Sequence, residues 1–460
     1  MSDSLEEALA YAREHRDAFV QELCEYLTIP SVSAQPEHER DVKMAALWVV
    51  EHLRQRGLSA ELLTTEGAPL VYAEWKCPHT HAPTVLIYGH YDVQPAEPLE
   101  LWHTPPFEPS LRGGYIVARG ADDNKGQHFA HIKALECLLC TTGALPINVK
   151  VLLEGEEEIG STHLSQFVRE HHELLKCDCV LISDSAMRSL QQPTIIYGLR
   201  GLLDLDITVR ALEHDVHSGH YGGNVQNPIM ALAQLLAEAK DREGRVLIPG
   251  FYDSVRALDA AERAQLARCA WGEAEIKKET GALQAFGEPE FTPVERRGIR
   301  PTFEVNGMWG GYTGPGIKTI IPAEAHAKVT CRLVPYQEPA HVGAAIRRFF
   351  EQRCPPGVTL EMRLGPGSPP TLLPLDNNAM RAAVRAAKAT FGAEPLFELE
   401  GGSIPVVHEF AHTLQKPVVL MGFGLPEDNI HAPNERFALA SFEKGIEASV
   451  RFMIQLSATS

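Results

Sequence analysis

Residues His408–His412 read HEFAH, two histidines one helical turn apart with a glutamate after the first. On a helix that spacing can hold one zinc ion and let the glutamate activate a water. A second set of metal-type side chains is scattered along the chain. "TVLIYGHYDVQP" places His90 and Asp92 directly after an apolar run, and "ARGADDNKGQ" places Asp122 and Asp123 in a glycine-bounded loop ahead of a helical pattern. "VLLEGEEEIGS" ends another apolar run with Glu154, Glu156, Glu157 and Glu158, "CVLISDS" ends a third with Asp184, and "EDNIHAPNE" supplies His431. Being two apart, His90 and Asp92 face the same way on an extended chain, which makes Asp92 a candidate partner for the second ring nitrogen of His90.

Carboxylates crowded beside apolar strand ends are costly unless something positive neutralises them. No lysine or arginine run accompanies these acids, so a divalent metal is the natural counter-charge. Two histidines with several carboxylates and no thiolate suit zinc, manganese or cobalt better than calcium or magnesium. The same residues follow apolar strands, and in open α/β sheets ligands gather at the carboxyl ends of strands.

The elements that must position them can be read from periodicity. "LEEALAYAREHRDAFVQELCEYL" and "RDVKMAALWVVEHLRQRG" are helical patterns. "PLVYAEW", "TVLIYGH", "INVKVLLEG" and "DCVLISD" are strand-like runs, separated in part by helical stretches around 125–142 and 162–174. This texture predicts an α/β fold with a mostly parallel sheet covered on both faces. After "YGLRG" the pattern changes. "LLDLDITVRA" alternates as a half-buried strand, and "NPIMALAQLLAEAK" reads as a helix. "PTFEVNGMW" and "AEAHAKVTCRLVP" follow as strands, "PAHVGAAIRRFFEQR" as a helix and "VTLEMRLG" as a strand, with an irregular stretch over 240–300. The order β-α-β-β-α-β is that of a split-βαβ, ferredoxin-like α+β domain. Beyond the linker-like "GPGSPP" the first texture resumes. The expected organisation is a first domain of 1–198 and 369–460, interrupted by an inserted domain of 199–368.

Bulk properties narrow the function. The 460 residues exceed what one core usually supports, and the formal net charge is −18. That charge disfavours nucleic acid and anionic membrane, and no apolar run is long enough to span a bilayer. The N-terminal stretch is acidic and polar, unlike a signal peptide. The nine scattered cysteines suit free thiols in a reducing compartment, so a cytoplasmic protein is expected. Cys137 and Cys140 form a CxxC, and Cys177 and Cys179 a CxC. Neither has the second pair that a zinc ribbon requires, and buried, inert thiols are expected.

"GHYDVQP", "RGADDNKG", "EGEEEIGS", "VLISD", "YGLRG", "HSGHYGG", "EGGSIP" and "HAPNE" occur in an order that resembles the carnosinase-type di-zinc metallopeptidases. That family also contains glutamate carboxypeptidases, acetylornithine deacetylase and succinyl-diaminopimelate desuccinylase, and the motifs are most similar to its cytosolic nonspecific dipeptidase branch. The resemblance spans about 85–440. It implies two divalent ions per subunit, zinc foremost with manganese or cobalt as alternatives, bridged by Asp123. His90 and Asp184 would complete one ion's ligands, and Glu158 and His431 the other's. Glu157 would be the general base acting on a water between the ions, and Asp92 would orient His90. The resemblance also implies a cis bond at Asp123–Asn124, where relatives more often carry Asp or Met at the second position. From the inserted lid and dimerisation domain, His217 would stabilise the oxyanion across a homodimer. Arg332 would grip the substrate carboxylate, with Thr319, Gly402 and Ser403 lining the pocket. The implied activity is hydrolysis of dipeptides or very short peptides. The alternative on the same scaffold is an N-acyl amino acid deacylase or carboxypeptidase, and the rival from another class is a metal-free binding protein.

Against this set, HEFAH lacks a third ligand not already in use, and is expected to be a chance match on a helix face. "GGYTGPGIKT" nearly spells a phosphate loop, but Ile317 separates its last glycine from Lys318, and a strand pattern follows where a helix is required. His214 and His220 are expected to be solvated.

Overall fold

Continuous apolar runs are what a strand buried on both faces requires, and they build the centre of the first unit. In the computed structural model, which describes residues 2–458, one compact unit comprises the chain up to Tyr197, Leu373–Phe397 and the chain from Val406. The other comprises Gly198–Leu372 and Glu398–Pro405. In the first unit the sheet runs Ser59–Leu63, Leu70–Trp75, Asn148–Glu154, Thr84–His90, Cys179–Ile182, Val418–Leu420, Thr194–Leu199. Pairings from Asn148–Glu154 through Val418–Leu420 are parallel and the flanking ones antiparallel, so the sheet is parallel at its centre and mixed overall.

Register fixes which residues meet at the carboxyl end. His90 pairs with Glu154, and Tyr88 pairs with Ile182, so two further residues on each chain bring His90 and Asp184 level.

Helix Lys125–Thr142 starts immediately after the Asp122–Asp123 loop and stops at Gly143, whose φ of 69° is the left-handed conformation a helix end favours. Residues Lys125–Leu138 of this helix are buried all round. One consequence is Lys133, fully buried, donating to Glu136 Oε2 at 2.7 Å, to His52 Nε2 at 2.9 Å and to Glu22. The other helices of this unit include Glu39–Gln55, against the first two strands, and Asn378–Phe391 and Leu439–Ser457, which pack together.

The second unit has its own core. Its strands lie in the order Glu304–Gly310, Glu324–Leu333, Gly201–Arg210, Thr359–Leu364, all antiparallel. Leu203, Leu205, Ile207 and Val209 alternate inward onto the apolar faces of helices Pro228–Glu238 and Pro339–Arg353. The stretch over 240–300 carries short helices, Ala260–Leu266, Glu273–Thr280 and Pro293–Ile299.

Local departures from the sequence reading have local causes. The first helical pattern breaks at His15 into Ser2–Glu14 and Arg16–Leu27, and the stretch at 162–174 is helical only over Leu164–Glu170. Strand Ser59–Leu63 and the hairpin strands Ser110–Arg112 and Tyr115–Val117 are short and partly exposed, so they lack the apolar pattern that reveals the central strands. All nine cysteines are free, with Cys137, Cys177 and Cys179 buried and Cys140 exposed. Among the described residues no helix is long and apolar enough to cross a membrane.

His52 accepts from an ammonium and must be neutral to do so. Burial, then Lys133 and Arg56, hold its pKa down to about 2 from an ordinary 6.5. Because the folded value is the lower one, the unfolded chain takes up the proton first as pH falls. The stabilisation is complete above pH about 6.5 and declines below it by about 1.4 kcal/mol per pH unit. His52→Gln should therefore flatten the fall in urea midpoint between pH 6.5 and 5; an unaltered slope would show that His52 titrates freely.

Candidate metal centre

The register described above sets His90, Glu154 and Asp184 at one sheet end, and three loops bring the remaining groups to it. His90 is fully buried, and its Nε2 lies 3.0 Å from Asp123 Oδ1 and 3.8 Å from Asp184 Oδ1. The other oxygen of Asp123 faces His431, with Nε2 at 2.8 Å from Oδ2, and the same nitrogen lies 3.4 Å from Glu158 Oε2. One carboxylate thus faces both histidines, His90 with one oxygen and His431 with the other, while Asp184 lies near His90 and Glu158 near His431. Ligand atoms of His90, Asp123 and Glu158 all fall within 4.8 Å of one another. The peptide bond Asp123–Asn124 is cis.

Each loop is tied down by a buried acceptor. The Asp92 carboxylate accepts from Ser33 Oγ at 2.6 Å and from the backbone N–H groups of Glu157 at 3.3 Å and Glu158 at 3.1 Å. It also lies 3.4 Å from His90 Nδ1, which is 3.1 Å from the Asp92 carbonyl. Asp92 therefore positions the acidic turn Glu157–Ile159 as well as the imidazole. Glu435, fully buried, does the same for the Asp123 loop. It accepts from Gly120 N at 2.9 Å, Asp122 N at 3.0 Å, Asp123 N at 3.1 Å and Arg119 Nη1 at 2.7 Å. Gln94 Nε2 donates to Glu158 Oε2 at 2.7 Å. His431 sits at φ 60° between Asn429 and Asn434, also left-handed, so this turn is shaped to present its ring. Sequence reading did not single out Glu435, Gln94 or Ser33. Glu435 stands within "HAPNE", and a charged residue beside an apolar strand was its only signal.

The two adjacent glutamates are shifted toward their neutral forms. Burial, and then Asp123, push Glu158 up to about 10, and burial with Asp184 and Asp123 pushes Glu157 up to about 8 despite His90. Burial alone would hold His90 neutral, yet its hydrogen bonds to Asp123, Asp184 and Asp92 outweigh that and raise its pKa. No lysine or arginine pairs with Asp123, Asp184, Glu157 or Glu158 among the described residues. Nitrogen and oxygen donors with surplus negative charge, buried and without a resident cation of the protein's own, fit divalent metal. Glu22, His52 and Glu136 also converge, but the Lys133 ammonium bonded to all three already fills that place.

HEFAH is built differently. Helix Pro405–Glu409 passes into a π-helical turn, Phe410–Leu414, in which the rings of His408 and His412 stack 5.6 Å apart. Glu409 is engaged by Arg169 Nη1 at 2.8 Å and by Thr413. Neither histidine joins a group of converging ligands among the described residues.

The second unit holds the remaining candidates in two groups. His217 pairs with Ile320, and Ser218 N donates to the Thr319 carbonyl at 2.9 Å. His217 Nδ1 accepts from Gly219 N at 3.0 Å, so in the neutral ring the proton sits on Nε2, and that nitrogen is a donor. His220 stacks on His217 at 4.5 Å. In the other group Arg332 Nη1 donates to Ser403 Oγ at 2.9 Å, Ser403 Oγ donates to the Arg200 carbonyl at 2.6 Å, and Arg200 N donates to the Gly402 carbonyl at 3.0 Å. Arg332 forms no ion pair among the described residues. The near-phosphate loop lies between strands Glu304–Gly310 and Ile320–Ile321, with no helix N-terminus to receive an anion.

Residues 86–455 match "Peptidase family M20/M25/M40". The chain belongs to that family. Over its full length it is 31% identical to the Cys-Gly metallodipeptidase dug1 of Schizosaccharomyces pombe, also covered completely. It is 29% identical to the Beta-Ala-His dipeptidase of Mus musculus, over 99% of this chain and 96% of that one. Among solved structures, an M20 family metallo-carboxypeptidase from Sulfolobus solfataricus superposes with a TM-score of 0.85 at 34% identity, covering 96% of this chain and 99% of that one. Membership of this M20 metallopeptidase family implies divalent metal binding.

Two substitutions separate the two histidine sets. His412→Ala should leave the metal content of the purified protein unchanged. Asp92→Ala should weaken metal binding by about 10–100-fold, as loss of a ligand's supporting partner does. Loss of metal from His412→Ala would restore HEFAH as the site.

Proposed function

We propose that this chain is a metal-dependent dipeptidase that hydrolyses the peptide bond of dipeptides or very short peptides. The observation that carries the reading is that one carboxylate, Asp123, faces His90 with one oxygen and His431 with the other, as a carboxylate bridging a pair of cations would. His90, Asp184 and Asp123 would hold one ion, and His431, Glu158 and Asp123 the other, with zinc the first choice for nitrogen and oxygen donors and manganese or cobalt the alternatives. Bound there, such ions supply Lewis acidity toward a water and a peptide carbonyl.

The chain's own groups supply the rest. The Glu157 carboxylate accepts the proton of the attacking water and delivers it to the leaving amine nitrogen, a transfer that suits a buried carboxyl tuned toward neutral pH. Asp92 holds the backbone of that residue in place through its N–H. His217, with its proton on Nε2, is a donor of the kind an oxyanion requires, and we assign it to that role across a homodimer formed through the second unit. Arg332, already oriented by Ser403 and without a carboxylate partner among the described residues, is assigned to the terminal carboxylate of the substrate. Thr319, Gly402 and Ser403 line the same pocket in this reading. Nine unbridged cysteines support a reducing, cytoplasmic location. We also propose that residues 199–368 act as an inserted lid and dimerisation domain between catalytic segments 1–198 and 369–460. The resemblance to a metallo-carboxypeptidase keeps carboxypeptidase or N-acyl amino acid deacylase action as the second reading.

Purified protein should hold close to two transition-metal ions per chain. Glu157→Ala should abolish turnover with that content retained; near-normal activity would reassign the base. Hydrolysis of free dipeptides should exceed that of N-acyl amino acids and longer peptides under zinc, manganese and cobalt alike, and the opposite order would select the second reading. Mixing inactive His217→Ala with inactive Glu157→Ala subunits should restore part of the activity. No recovery after demonstrated subunit exchange would place His217 within its own subunit's site or outside the site altogether.

A further inference from the structure

We propose that Asn124 is a positioning residue whose side-chain amide sets the orientation of the Asp184 carboxylate toward a divalent cation; this rests on the two-ion reading above. Asn124 is fully buried. Its Nδ2 donates to the Ser183 carbonyl at 2.6 Å and to Asp184 Oδ1 at 2.9 Å, and its Oδ1 accepts from the backbone N–H of His90 at 3.3 Å. His128 Nδ1 also lies 3.3 Å from Oδ1. The partners fix which end of the amide is which, because a reversed amide would set its oxygen against a carbonyl and a carboxylate.

One side chain thus ties the end of strand Thr84–His90 to the segment after strand Cys179–Ile182, the two places from which His90 and Asp184 project. The oxygen so held, Asp184 Oδ1, is also the one 3.8 Å from His90 Nε2, so the amide fixes this carboxylate at the point where it meets the other candidate ligands. Room for this amide is reserved by Gly89, where a Cβ would stand 2.8 Å from Asn124 Oδ1 and 2.6 Å from His128 Cβ. Charge matters as well as shape. The neighbourhood already contains Asp92, Asp123, Asp184, Glu154 and Glu157, and a neutral donor at 124 adds a hydrogen bond without adding another anion. An ionised aspartate of the same size could not donate, and would face the Ser183 carbonyl and Asp184 with a further negative charge.

The test is titration of the metal-free protein with Co2+ against a competing chelator, followed by visible absorption. Wild type should take up two equivalents. Asn124→Asp should weaken one of them by about 10–100-fold and leave the other unchanged within error. Asp184→Ala should weaken the same equivalent, and adding Asn124→Asp to it should produce no further loss, the non-additivity expected of two residues acting as one unit. Asn124→Ala, which removes the donor without adding charge, is measured in parallel, with circular dichroism of each metal-free variant, so that a folding defect in one leaves the other to decide. Both equivalents weakening together, neither weakening, or additive losses with Asp184→Ala would each overturn the role. Wild type failing to bind two equivalents would instead sink the two-ion reading.

Discussion

At the carboxyl end of a mainly apolar sheet, the carboxyl groups of Asp123, Glu157, Glu158 and Asp184 and the imidazoles of His90 and His431 are brought together, with no lysine or arginine paired to those acids among the described residues. The rest of the first unit can be understood as the means of holding them there. Strand register alone levels His90 with Glu154 and Asp184. Loops deliver Asp123, Glu157, Glu158 and His431, and each delivering segment is tied by an element of its own. Asp92 gathers the backbone of the glutamate turn, Glu435 gathers that of the Asp123 loop, and Asn124 bridges two strand ends. Buried polar groups of this kind are costly when half satisfied, so their dense hydrogen bonding concentrates where position matters most.

The buried charges of the helical layer follow the opposite logic. Around Lys133, the cation is a side chain of the protein itself, and Glu22, Glu136 and His52 are satisfied by it. Two clusters with similar ligand types therefore differ in one respect: one has a lysine ammonium bonded to its members, and the other, among the described residues, has no lysine or arginine paired with its acids. The presence of an internal ammonium, more than the mere gathering of His and Glu, distinguishes a structural ion cluster from a metal centre.

The second unit shows how ordinary local rules can carry specialised groups. Its antiparallel sheet buries one face and leaves the other polar, and its alternation was legible at the level of single residues. The central parallel strands were equally legible, because burial on both faces demands uninterrupted Val, Ile and Leu. Strand Ser59–Leu63 and the small hairpin were not, since exposed edges accept polar residues and tertiary pairing decides their conformation. HEFAH illustrates the converse. Its spacing satisfied a motif, but the π-helical turn, the stacked rings and the Arg169 pairing with Glu409 give it a local structural explanation.

By itself the sequence determined the kind of chemistry. Residue types at strand ends, an excess of acid without nearby base and eight ordered motifs pointed to a metal-dependent hydrolase in a divided α/β chain. Only the tertiary structure decided that Asp123 faces His90 with one oxygen and His431 with the other, 308 positions further along the chain. It alone disclosed that Glu435 accepts from the backbone of the Asp123 loop and that Asn124 joins the His90 backbone to Asp184. The reason is physical: composition and period report burial, which is a property of each residue's own neighbourhood. Convergence of distant side chains depends on sheet register and loop paths, and these are settled only when the whole unit packs.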